Sequence, residues 1–276
     1  MSLFTRNRTK KVAIGVGILC FLSFFGLWLL SREATLIYVA NYLVERMEGR
    51  LQLADVRGSL LGTVRLRALR YDDKFGKLAI NDAHLEWKPL RLLRGQVAVG
   101  SVSANTVTLD LARTDDERSK PPQSLRSPIP YAVTDFRIEK LAVTQAGATH
   151  EVRGLHAGFS GGRRHLQAEL KALATQYGTF QGEVKLGADS PFDMQGTLQL
   201  TALEPQDYSV RVKLDGTLIN ALAQIDAQSR AASLTARLAV APFDWQPLTH
   251  LEFVAKDFDP RAWSATAPQA LISGEG

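Results

Sequence analysis

The chain has 276 residues, 45 % of them hydrophobic, and a formal net charge of +5. Four of the positive charges, Arg6, Arg8, Lys10 and Lys11, precede an apolar run, so the remainder is close to neutral and carries no basic-aromatic footprint for nucleic acid. The single cysteine, Cys20, lies inside that run, which excludes an intramolecular disulfide and leaves sheet pairing and apolar burial to hold the rest together.

The run itself is Val12 to Leu30, VAIGVGILCFLSFFGLWLL, without a charge. As a helix it would span about 28 Å, close to the hydrocarbon thickness of a bilayer. A cleaved signal peptide would need a shorter apolar region and a small-x-small cleavage site. The following SREATLIYVANYL offers no clean one. The expectation is an uncleaved anchor over 12–30. The basic cluster keeps residues 1–11 in the cytoplasm, and everything beyond Ser31 lies on the far side.

Residues 31–49 predict a short amphipathic helix. Leu36, Val39, Ala40, Leu43 and Met47 recur at helical spacing, and Gly49 is a natural stop. It could lie on the bilayer or plug one end of a sheet, and the plug is favoured.

From Arg50 the period changes from near 3.6 to 2 and stays there. RLQLADV, TVRLRAL, KLAINDAHLEW, GQVAVGSV and NTVTLDLAR read as short strands punctuated by glycines and Asp or Asn. Residues 114–130, with four prolines and dense charge, read as a mobile loop. Strands resume at DFRIEKLAVTQ and continue to HLEFVAKDF, a dozen or more in all. The parity is clearest in the middle. Phe180, Val184 and Leu186 share a face, as do Met194, Leu198 and Leu200, then Val210, Val212 and Leu214. The opposite face carries Gln181, Glu183, Lys185, Thr197, Arg211 and Lys213. Earlier strands offer Val64 and Leu66, Leu78 and Ile80, Val97 and Val99, then Val107 and Leu109 for the same apolar face. The final LISGEG reads as the opening of another strand, so the chain is expected to be the N-terminal part of a longer protein.

The fold class is therefore mainly β, with no group of helices to cover the apolar face. The sheet can close as a barrel, fold into a sandwich, or curl into an open trough. Periodicity does not separate the three.

No catalytic constellation is present. His84, His150, His156, His165 and His250 lack metal-ligand spacing and are expected on the surface. There is no G-x-S-x-G, no GxxxxGK and no strand-bounded GxGxxG, so neither an enzyme nor a cofactor is expected. Gly161 and Gly162 read as a hairpin turn, and the acidic Asp115, Asp116 and Glu117 as a solvated loop. Trp87, Trp245 and Trp263 each stand near a proline and are expected to pack at strand ends.

Two stretches resemble a known family. LQLADVRGSLLGTVRLRALRYDD runs from Leu51 to Asp73, and LAINDAHLEWKPLRLLRGQVAVGSVSANTVTLDLAR from Leu78 to Arg113. Behind an anchor and a short helix, this order resembles the N-terminal part of the TamB family of the translocation and assembly module, related to the AsmA-like proteins. The resemblance implies a long curled β-sheet groove (a β-taco) with an apolar inner face, anchored in the inner membrane and extending into the periplasm. It implies a conduit for phospholipid acyl chains between the two membranes, floored by the apolar residues named above. The other function it implies is assembly of outer-membrane and autotransporter barrels with a TamA-like outer-membrane partner, through a C-terminal part absent from these residues. Strand edges would then pair with clients.

Overall fold

The computed structural model describes residues 28–74, 76–112, 121–145, 147–203, 207–229, 232–258 and 272–276. Most of the expected anchor falls outside them, as do Trp263 and the acidic Asp115 to Glu117. Trp28, Leu29 and Leu30 are helical. Among the described residues no helix is long and apolar enough to cross a membrane.

Helix α1, Glu33–Arg46, comes first. Glu33 in its first turn and Arg46 in its last complement the helix dipole. Gly49, at φ 81°, turns the chain out into β1. Leu36 and Ala40, one turn apart, are buried where α1 packs along β1. Leu43 and Met47 were expected on that inner face but are about two-fifths exposed, because the contact is one strand wide and buries only a narrow stripe.

Among the described residues fourteen strands follow, all in one sheet and in chain order. They are β1 (Leu51–Gly58), β2 (Thr63–Asp73), β3 (Gly76–Trp87), β4 (Val97–Leu111), β5 (Tyr131–Gln145), β6 (Ala148–Gly161) and β7 (His165–Thr175). Then come β8 (Gly178–Gly187), β9 (Met194–Thr201), β10 (Tyr208–Gly216), β11 (Ala221–Ser229), β12 (Ser233–Val240), β13 (Leu248–Phe258) and β14 (Ile272–Glu275). A 3-10 helix, Pro89–Arg94, joins β3 to β4. Sheet partners are the immediate chain neighbours, and β1 does not pair with β14. The sheet is thus open at both ends, neither a closed barrel nor a two-sheet sandwich.

One expectation about the strands changes. GQVAVGSV and NTVTLDLAR are not separate strands; they fuse into the 15-residue β4. Ser101 to Ala104 stay in the ladder with β3, so the chain has no reason to turn there. β4 also pairs parallel with β5, while every other pair is antiparallel. A parallel pair needs a crossover. The connection must carry the chain back along β4, about 50 Å at 3.3 Å per residue.

The described half of that connection, within the stretch expected to be a mobile loop, is hydrogen-bonded to the sheet. Residues 121–130 form a strap along one rim of the sheet. The N–H of Leu125 donates to the Ala188 carbonyl (2.9 Å), that of Ser127 to Gly162 (3.0 Å), and that of Val97 to Pro130 (2.9 Å). The Arg126 guanidinium grips both carboxylate oxygens of Asp189, at 2.6 and 2.9 Å. Four prolines shorten the list of backbone donors needing partners; Leu125 and Ser127 find theirs in the β8–β9 and β6–β7 turns, and the Arg126 N–H donates to the Ser124 hydroxyl. Composition alone reads as mobility; the rim supplies the missing acceptors.

Candidate functional site

In a sheet, cross-strand partners share a face. The register therefore extends one apolar surface from strand to strand. Phe180 pairs with Leu200, Leu186 with Met194, Leu198 with Val212 and Leu200 with Val210. Val210 continues to Ala227, Val212 to Ile225 and Leu214 to Ala223. Ile225 leads to Ala236 and Phe253, and Ala223 to Leu238 and Leu251. Val184 pairs with Ala168 on the other side.

The first half of the sheet reaches the same surface by a different route. Leu78 pairs with Leu109 and Ile80 with Val107, but the next inward pairs are Ala83 with Ala104 and Leu85 with Val102. Three residues, not two, separate the inward positions. The same step occurs between Leu66 and Leu69 in β2, between Ala104 and Val107 in β4, and between Ile138 and Leu141 in β5. One buried cluster holds Ala104, Val107 and Ile138, with Leu78, Ile80, Phe136, Leu141 and Leu155 against it, which puts both sides of the step on one face.

The step runs straight across the sheet. Asp55, Arg67, Asp82, Asn105, Glu139 and Gly154 face one another in β1 to β6, and each is skipped in the ladder. Asp55, Asp82 and Gly154, in β1, β3 and β6, the three of these strands that run in one direction, have φ of 54°, 53° and 61°. Left-handed residues reverse the side-chain alternation, and Asp and Gly tolerate that conformation best. In β7 the step persists as a bulge between Leu170 and Leu173, and β8 to β11 are free of it. A second step at Gly100 keeps Val99 opposite Trp87 and Val133, and Val97 opposite Tyr131.

All the residues expected to line a groove thus fall on one face: Val64, Leu66, Leu78, Ile80, Val97, Val99, Val107 and Leu109 in β2 to β4, and the set from Phe180 to Leu214 in β8 to β10. Sequence reading missed Leu69, Leu85, Val102, Ala104, Phe136 and Ile138. Counting outward from the three-residue steps would have found them, and a lone Asp inside an apolar strand was the visible signal.

Among the described residues no second layer is seen on this face. The elements packed on one another are sheet neighbours, with α1 on β1 and the 3-10 helix on β4. Leu198, Val212 and Phe180 are half-buried, while Ala104, Val107 and Ile138 on the same face are buried among their sheet neighbours. Two glycines mark the floor. A Cβ on Gly182 would lie 2.3 Å from the Thr197 carbonyl oxygen, and one on Gly196 2.7 Å from that of Glu183. The β8 and β9 backbones approach too closely there for any side chain, as at a tight bend of a sheet.

The opposite face is charged. Among the described residues no group of three His, Cys, Asp or Glu could hold a metal ion. The histidines stay apart. His156 bonds Asp135 through Nε2 at 2.7 Å, His250 meets Glu252, and the Nε2 of His84 is buried without a partner. Burial pushes the Asp135 carboxyl up, but hydrogen bonds and charge from Arg137 and His156 outweigh it and hold the group below the usual range. Trp87 packs on the apolar face as expected. Trp245 does not pack; it is 72 % exposed in the turn between β12 and β13.

The family model for the N-terminal domain of TamB matches residues 24–176. It spans the end of the apolar run, α1 and β1 to β7, including every strand that carries the step. No curated protein and no solved structure matches the chain.

Proposed function

The chain belongs to the family of the TamB N-terminal domain, and from that premise we propose that it is an inner-membrane-anchored periplasmic conduit for phospholipids. It is a carrier and not an enzyme. The sheet curls about its apolar face into an open groove, acyl chains lie on the floor, and headgroups travel along the wet opening. The observation that carries this reading is the continuous apolar surface on which no second layer of described residues packs. Most proteins bury such a face under a second layer. Here the hydrocarbon of the cargo takes that place, at about 0.8 kcal/mol per methylene removed from water. Two features support the curl: the close backbones at Gly182 and Gly196, and the strap that ties the β5, β6–β7 and β8–β9 ends along one rim. Cytoplasmic residues 1–11 and an anchor over 12–30 would hold the first strands at the membrane.

The test is photo-crosslinking in cells, with a benzophenone amino acid at Leu198 or at its neighbour Gln199, which faces the other way. The expected result is a phospholipid adduct at 198 and none at 199. Absence of lipid at both positions would remove the conduit. An adduct to an outer-membrane protein strand would favour the assembly role with a TamA-like partner.

A further inference from the structure

The connection between β3 and β4 is a short exposed 3-10 helix, Pro89–Arg94. A 3-10 helix repeats every three residues, so side chains at i and i+3 eclipse. Leu90 and Leu93 therefore share one side, Arg91 and Arg94 the next. Leu90 is 68 % and Leu93 85 % exposed, and Leu92 43 %. Lys88 adds a third cation, and no acidic residue falls between 88 and 96. Leucines this exposed on a tip this small contribute nothing to the core. Their chemistry, an apolar edge beside a basic one, is that of segments that lie in a bilayer interface.

The location agrees. α1 ends at Arg46 and β1 begins at Leu51, and the two pack along each other, so the tight turn between them makes them antiparallel and sets the start of α1 toward the end of β1. That end pairs with the start of β2, and Thr63 pairs with Glu86 at the end of β3. The 3-10 helix follows at once. It therefore lies on the same rim as the N-terminal end of α1, two strand spacings away, about 10 Å. The chain reaches α1 through Trp28, Leu29 and Leu30, the end of the uncharged run, each at least 40 % exposed.

We propose that Pro89–Arg94 is a second membrane contact, which inserts Leu90 and Leu93 into the leaflet holding the anchor while Lys88, Arg91 and Arg94 take anionic phospholipid headgroups. This rests on the anchored reading above. It gives the groove a fixed orientation on the bilayer, since one spanning helix alone leaves the sheet free to swing.

The experiment uses the full chain with Cys20→Ser, reconstituted in phosphatidylcholine vesicles with or without phosphatidylglycerol. An environment-sensitive fluorophore is attached at Leu93→Cys, or at Leu222→Cys as an exposed control on β11 (54 %). Nitroxide-bearing lipid is the quencher. The expected result is quenching at 93 and not at 222, stronger with phosphatidylglycerol. Arg91→Glu with Arg94→Glu should reduce the insertion equilibrium constant at least 25-fold, about fivefold per lost basic contact. These sites are exposed, and an unchanged far-ultraviolet dichroism spectrum would verify the fold. Position 93 remaining in water, or quenching indifferent to phosphatidylglycerol, would overturn the proposal while leaving the anchor and conduit standing. A chain that does not float with the vesicles would remove the anchor and this contact together.

Discussion

Leu198 on β9 and Val212 on β10 stand directly opposite one another, at the centre of the surface that crosses the sheet. Each is half-buried without a covering layer. An aspartate at either site remains hydrated when the groove is empty, so Leu198→Asp and Val212→Asp should cost only about 1–2 kcal/mol of stability. An acyl chain passing the same carboxylate must desolvate it. Bound phospholipid, counted by mass spectrometry on the purified protein, should fall more than tenfold, while circular dichroism is unchanged. Retained lipid would place the cargo elsewhere.

Asp82 holds φ at 53° in the interior of β3. A β-branched residue there meets the full left-handed penalty, and Asp82→Val should lower stability by about 1–2 kcal/mol. Asp82→Gly should be nearly neutral, because relief of strain offsets the added freedom of the unfolded chain. Urea midpoints of the two variants test this. Equal losses would show that the aspartate side chain matters, and the backbone does not.

Gly182 has no room for a side chain against the Thr197 carbonyl. The obstruction is backbone, so no rotamer change relieves it. Gly182→Ala should destabilise by about 2–4 kcal/mol, and amide exchange should accelerate in β8 and β9 before the rest of the sheet. Wild-type exchange in that variant would mean that the two strands part without cost.

The Asp135 carboxyl is held below the ordinary 3.8 by Arg137 and His156 against the opposing effect of burial. A depressed carboxylate stabilises the fold at pH values above its unfolded pKa, and the gain is lost as pH falls through the folded value. Asp135→Asn should therefore lower the melting temperature at pH 7. The gap to wild type should close as the pH drops below 3.8 and continue closing toward the folded pKa. A pH-independent gap would mean that geometry alone, not charge, is lost.

How much of this was legible depended on the strand. β8 to β10 alternate strictly, so Phe180, Leu198 and Val212 could be placed on one face from spacing alone. In β2 to β5 the same counting fails beyond Arg67, Asp82, Asn105 and Glu139, because each step inverts the phase; Leu85 and Ile138 then read as wet. The parallel pairing of β4 with β5 was also out of reach. Alternation is the same in parallel and antiparallel strands, and the crossover announced itself only as a proline-rich stretch. Burial was overestimated for Trp245 and for the outer half of α1, since an apolar side chain in sequence carries no record of whether a neighbour arrives.

The aligned step across β1 to β6 also constrains how such a chain can change over generations. Deleting Asp82 alone would put Ala83, Leu85 and Trp87 out of phase with Ala104, Val102 and Val99, turning an apolar half-strand toward water. The damage could be undone only by matched deletions in the strands on both sides, and then in theirs. Length changes at this line are therefore all-or-none. Descendants should keep the step in every one of these strands or in none, even where the residues beside it drift freely.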